Sequence, residues 1–99
     1  MNAIFPIAAS GMRVAAMGMR VAAHNIAVQP VRPVAPRQVL TVQATPGGGA
    51  TARVDTAEKA PDMAAERMAA KTYEVAFAAN AVVIRRGNEM LGSLFDAFA

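Results

Sequence analysis

Cysteine and tryptophan are both absent from the 99 residues. Without cysteine there is no disulfide, no thiolate metal site and no cysteine nucleophile. Aromatic side chains are few, one Tyr and four Phe, and much of the 55% hydrophobic content is alanine, which buries little area. A core built from such residues is thin and marginal for a lone chain, so oligomerisation is the natural remedy. Acidic residues are missing from the first half. Residues 1–54 carry five arginines and no acid, whereas residues 55–99 carry seven acids and five bases. The two halves therefore attract each other, within one chain or between neighbours. The arginines are dispersed and lack aromatics suited to base stacking, which argues against a nucleic-acid partner. No run of about 18 apolar residues is free of charge, so no transmembrane segment is expected. The first residues carry no positive group before Ile4-Phe5-Pro6, and Arg13 and Arg20 interrupt the apolar stretch after it, so no Sec signal peptide is expected.

The chain does carry a pair of alanine-rich helix patterns around a Pro/Gly-rich middle. Residues 29–61 hold five of the six prolines and the triplet Gly47-Gly48-Gly49. Over residues 3–28, Phe5, Met12, Met19 and Ile26 recur every seven positions, with Ala8, Ala15 and Ala22 between them. This predicts an a/d seam alternating large and small side chains. Ser10, Arg13, Met17, Arg20 and His24 form a mostly polar stripe. Gly11 and Gly18, also seven apart, imply either close approach of a neighbouring helix or simple tolerance. A helix over 3–28 would be about 39 Å long. Pro30, Pro33 and Pro36 predict an extended connector over 29–36. Val39-Leu40-Thr41-Val42 and Thr51-Ala52-Arg53-Val54 flank Pro46-Gly47-Gly48-Gly49, which predicts a small β-hairpin pairing 38–44 with 50–55. Pro61 suits the first turn of a second helix over 62–98, with Asp62 and Glu66 compensating its positive end. One seam of that helix is Ala70, Phe77, Ala81, Ile84, Leu91, Phe95 and Phe98. The adjoining one is Ala69, Tyr73, Ala76, Asn80, Val83, Gly87, Met90 and Leu94. Arg85 and Glu89 can pair at i,i+4. At about 55 Å, the second helix outreaches the first and leaves an apolar end needing a partner.

The fold class expected is therefore mainly α, in one domain spanning 1–99. Two long terminal helices form either an antiparallel coiled-coil-like hairpin or a helical oligomer. Chemistry is sparse. His24 is the single histidine and has no Cys or acidic neighbour in sequence. The glycine triplet lacks the Lys-Ser/Thr of a phosphate loop. Met12, Met17, Met19, Met63, Met68 and Met90 read as core filler. No catalytic residue, cofactor, metal or small-molecule substrate is expected, and the chain does not read as an enzyme. Two asparagines stand out. Asn25 ends the first helix, a position asparagine suits. Asn80 lies inside an apolar seam, where it either fixes register between helices or sits at an edge half in water.

Ser10-Gly11-Met12 followed by His24-Asn25-Ile26-Ala27 resembles the N-terminal pattern of bacterial flagellar rod, hook and hook-associated axial proteins. The C-terminal half matches better. Glu66, Phe77-Ala78-Ala79-Asn80, Val83-Ile84 and Asn88-Glu89-Met90-Leu91-Gly92-Ser93-Leu94 follow that family's C-terminal pattern in order and without a gap. The resemblance implies termini paired as an α-helical coiled coil lining a tubular axial structure. It also implies export by the flagellar type III apparatus without a cleaved signal peptide. The location would then be the periplasmic rod of the basal body, and the partners the chain itself, other axial proteins and, in transit, the export apparatus. Rod proteins are closest in size. The family's usual continuation, a further Asn and a Thr-x-Gly-aromatic turn, is replaced here by Val28-Gln29-Pro30-Val31-Arg32-Pro33. The connector is therefore expected to differ in shape, and the middle is shorter than in typical rod subunits.

Helix packing and assembly are expected to run through Phe5, Met12, Met19, Asn25 and Ile26 on the first helix. On the second they involve Tyr73, Phe77, Asn80, Ile84, Met90, Leu91, Leu94 and Phe95. The function expected is a structural subunit of the rod. The alternatives are a rod-like adaptor or regulator of export that does not polymerise, and an amphipathic protein at a membrane surface. The narrow polar face of the first helix disfavours the last of these.

Overall fold

Alanine and unbranched side chains dominate both ends of the chain, and both ends are helical. The computed structural model describes residues 3–32 and 36–98. Its four elements, in order, are α1 (Ile4–Val28), β1 (Arg37–Ala44), β2 (Ala50–Ala57) and α2 (Met63–Phe98). The molecule is mainly helical, with a two-stranded antiparallel sheet between the helices. Pro6 falls in the first turn of α1, where no backbone N–H is needed.

The helices run antiparallel in a fixed register. Space for a side chain at Gly18 is taken by the Tyr73 ring, at Gly11 by the Asn80 side chain, and at Gly87 by Phe5. The steps are close to seven residues on both helices, so one stripe of each faces the other throughout. On α1 this stripe is built from small residues: Ala8, Ala15, Gly18, Val21, Ala22 and Asn25 are buried. That corrects the expected weighting of the seam. Phe5, Met12, Met19 and Ile26 are half-buried at its flank. Alanine and glycine at the centre let the backbones approach, and the larger side chains drape beside the contact. The close-approach reading of Gly11 and Gly18 holds.

The hairpin pairs Arg37 with Ala57 through Ala44 with Ala50, slightly longer than expected. Gly47, Gly48 and Gly49 all have positive φ, 87°, 104° and 90°, which side-chain-bearing residues rarely adopt. The turn closes through Thr45 N–H to Gly49 O and Gly48 N–H to Thr45 O, both 3.0 Å. Alternation places Leu40, Val42, Ala52 and Val54 on one face of the sheet, with Thr41, Arg53 and Asp55 on the other. Among the described residues, both strands lie against α1 and neither backbone approaches α2. The helix α1 is thus the shared element, with α2 and the hairpin packed on it.

Two segments differ from expectation. Residues 29–31 form a hydrogen-bonded turn rather than an extended connector. Gln29 keeps helical dihedrals and donates to Asn25 O at 3.2 Å, and Val28 O accepts from Val31 and Arg32. Satisfying these terminal carbonyls outweighs the bias that Pro30 places on Gln29. The rest of that expectation falls partly on 33–35, outside the described residues. At the start of α2, Pro61 precedes the first turn instead of joining it. Asp62 caps the helix, its carboxylate accepting from Ala64 N–H at 3.1 Å.

The Cα radius of gyration is 17.4 Å and the extents are 62 × 25 × 14 Å. A compact chain of this length would have a radius near 13 Å. The core is accordingly one long seam, not a central cluster.

Candidate assembly surface

Two polar side chains of α1 fasten the hairpin. Asn25, 1% exposed, donates from Nδ2 to Gln38 O at 3.0 Å and accepts at Oδ1 from Gln38 N–H at 2.9 Å. The amide thus pairs with the backbone of β1 as a neighbouring strand would. At the other end, Ser10 Oγ accepts from Ala50 N–H at 3.1 Å and donates to Ile7 O at 2.7 Å. Gly48 and Gly49 rest on Ile7 and Ser10, where an added Cβ would collide. Ser10 and Asn25 are about 22 Å apart along α1. Gln38 and the Ala44–Ala50 pair are about 20 Å apart along the strands. The match of lengths lets both ends engage at once.

Beside Asn25 lies a buried acid. Glu66 is 2% exposed, and its Oε1 accepts from Arg37 Nε at 2.5 Å. Arg37 N–H donates to Lys59 O at 3.2 Å. Glu66 therefore does more than compensate the helix end. It ties the first residue of β1 to α2, joining the arginine-bearing half to the acidic half. Its phase gave a signal, because Glu66, Tyr73, Asn80 and Gly87 are seven apart and the last three all face α1. Arg37 as its partner was not readable, since that contact depends on where the connector brings β1. Ser10 was visible as a motif residue but without its partner.

The other expected packing residues divide by position. Tyr73 and Asn80 lie over the two glycines of α1. Asn80 Nδ2 donates to Ala76 O at 2.9 Å within its own helix, so its amide is satisfied without a bond across the seam. Phe77, Ile84 and Leu91 are half-buried. Met90, Leu94 and Phe95 are exposed, as are Phe98 and Val83, so these seam positions have no cover within the chain. Arg13, Arg20 and His24 face solvent. Glu89 pairs with Arg86 at 3.1 Å rather than with Arg85; at i,i+3 on an exposed face, such a pair adds little.

Among the described residues, no three His, Cys, Asp or Glu side chains converge as metal ligands. No helix among them is long and apolar enough to cross a membrane. Comparison with protein-family models, curated proteins and solved structures finds no match.

Proposed function

We propose that the chain is a structural subunit of a bacterial flagellar basal-body rod, acting by helix–helix packing with neighbouring axial subunits. The observation that carries this is the use made of the motif residues. Ser10 and Asn25 fasten the middle segment to α1, Gly11 receives Asn80, and Glu66 closes the far end of the seam. Several of the residues on which the axial resemblance rests thus hold the parts of the fold together: Gly11 and Asn80 meet between the helices, and Ser10 and Asn25 hold the hairpin on α1. The pair is coiled-coil-like, and its apolar surface extends past its own partner helix. In this reading the uncovered turns of α2 pack on other subunits, and the chain reaches the periplasm through the type III apparatus. The short middle would leave this subunit with little beyond the terminal helix domain.

A deletion of the gene in the encoding bacterium, complemented by a tagged copy, tests the proposal. Expected results are loss of rod completion or filament attachment, and co-purification of the tagged chain with isolated basal bodies. Intact rods with altered export of other axial proteins would instead favour the adaptor reading, in which the same seams bind an export component and no polymer forms.

A further inference from the structure

The seam between the helices ends before α2 does. Phe5 meets Gly87 and α1 begins at Ile4, so the turns of α2 beyond Gly87 have no α1 beside them. Their apolar side chains continue the same face. Met90, Leu94, Phe95 and Phe98 are exposed, the two phenylalanines at 72% and 88%. Over about 16 Å, α2 borders a lane that no described residue of α1 fills, closed at one end by the start of α1.

We propose that this lane takes the same stretch of α2 from a second copy, running antiparallel about a two-fold axis between Leu94 and Phe95. The proposal stands apart from the axial reading and does not rest on it. Steric fit selects the direction. A parallel helix in the lane would run on into α1, whereas the described residues of an antiparallel one end before the level of Ile4. Charge selects the same arrangement. Ala3, at the cap of α1, offers no side-chain bond, and the first turn of α1 has no acid. The last turn of α2 has no basic residue, yet Asp96 lies near that negative end. Each helix end is thus mismatched to its own dipole. Antiparallel pairing brings the last turn of each α2, with Asp96 on its outer side, end-on toward the start of the other copy's α1. Leu94 then lies opposite the second copy's Phe95, and Leu91 opposite the second copy's Phe98. The exposed Phe, Leu and Met surface is on the order of 500 Å² per copy. Two copies therefore bury at most about 1,000 Å², the lower edge of specific interfaces, so the dimer is reversible and concentration-dependent. It shields the apolar end of the free chain.

Sedimentation of the full chain over rising concentration is expected to show a monomer–dimer equilibrium. Leu94→Asp is expected to abolish it with helicity preserved, because Leu94 lies beyond the α1–α2 seam. The absence of native cysteine allows single-cysteine mapping under mild oxidation. Leu94→Cys is expected to cross-link to itself. Leu91→Cys and Phe98→Cys are each expected to form no disulfide alone and to cross-link when mixed, since Cα atoms more than about 7 Å apart cannot be bridged. Asp96→Lys is expected to weaken the dimer about fivefold or more while suiting the monomer's own helix end. A chain monomeric at every concentration would overturn the proposal. So would self-cross-linking of Phe98→Cys, a tighter Asp96→Lys dimer, or Leu94-dependent binding to anionic lipid vesicles without any dimer.

Discussion

Both polar atoms of the Asn25 amide are taken by the backbone of Gln38, and the side chain is fully enclosed. Removing it strands the N–H and the C=O of half-buried Gln38 together, each worth about 1–3 kcal/mol when left unpaired away from water. Ser10 makes the equivalent contact at the open end of the hairpin, where water can replace it. Asn25→Ala is therefore expected to lower the free energy of unfolding by about 2–4 kcal/mol, and Ser10→Ala by about 1 kcal/mol. Urea denaturation followed by circular dichroism measures both. A thin core leaves little margin, so Asn25→Ala is also to be read by amide exchange at Gln38, which should lose its protection first. Equal losses for the two variants would show that bond number rather than burial decides. An asparagine ending a helix was readable in the chain. That its amide substitutes for a strand was not, because its partner lies across the connector.

At the scale of the helix, the two kinds of glycine in this chain separate propensity from packing. Gly18 is buried, and a Cβ there would come within 2.5 Å of the Tyr73 ring. Gly92 is exposed on α2 with nothing within 4 Å. Alanine gains about 1 kcal/mol over glycine in a helix interior, but overpacking costs about 1–3 kcal/mol. Gly92→Ala is expected to stabilise the fold by up to about 1 kcal/mol. Gly18→Ala is expected to destabilise it by about 1–2 kcal/mol, because the added Cβ overlaps the ring and displaces it at the expense of the seam. Thermal unfolding of the two variants side by side checks the sign. A stabilised Gly18→Ala would mean that the helices part easily at this level. The seven-residue repeat of alanine and the phase of the two glycines raised close helix approach as one of two readings, and the β-branched runs around three glycines predicted a hairpin. The size ranking within the seam was not legible, because periodicity marks a face but not which of its residues lies at the line of contact. The turn at 29–31 was hidden because proline bias is local, while the carbonyls that override it belong to the preceding helix.

For the molecule as a whole, α1 carries α2 and the hairpin separately, and Arg37 with Glu66 clasps those two together. The hairpin packs loosely, with Val42 and Val54 still exposed on its apolar face. It can therefore open without separating the helices, and its amides are expected to exchange at a lower free energy than those of Ala15 or Tyr73. The clasp is asymmetric. Arg37 is 39% exposed and Glu66 2%, so an arginine released from the pair rehydrates, whereas a released carboxylate stays enclosed against the helix seam. Glu66→Gln keeps a hydrogen-bonding side chain in place and is expected to cost about 1 kcal/mol, with the loss confined to the hairpin. Arg37→Ala leaves the buried charge uncompensated. It is expected to cost about 2–3 kcal/mol, below the full penalty for a broken buried pair because solvent reaches that side. That loss should extend to the helix seam. Amide exchange distinguishes the two variants. Arg37→Ala should lower protection at Tyr73 as well as in β1, and Glu66→Gln in β1 alone. If both variants loosened only the hairpin, Glu66 would be reaching water through the connector, and the end of the seam would be open rather than sealed.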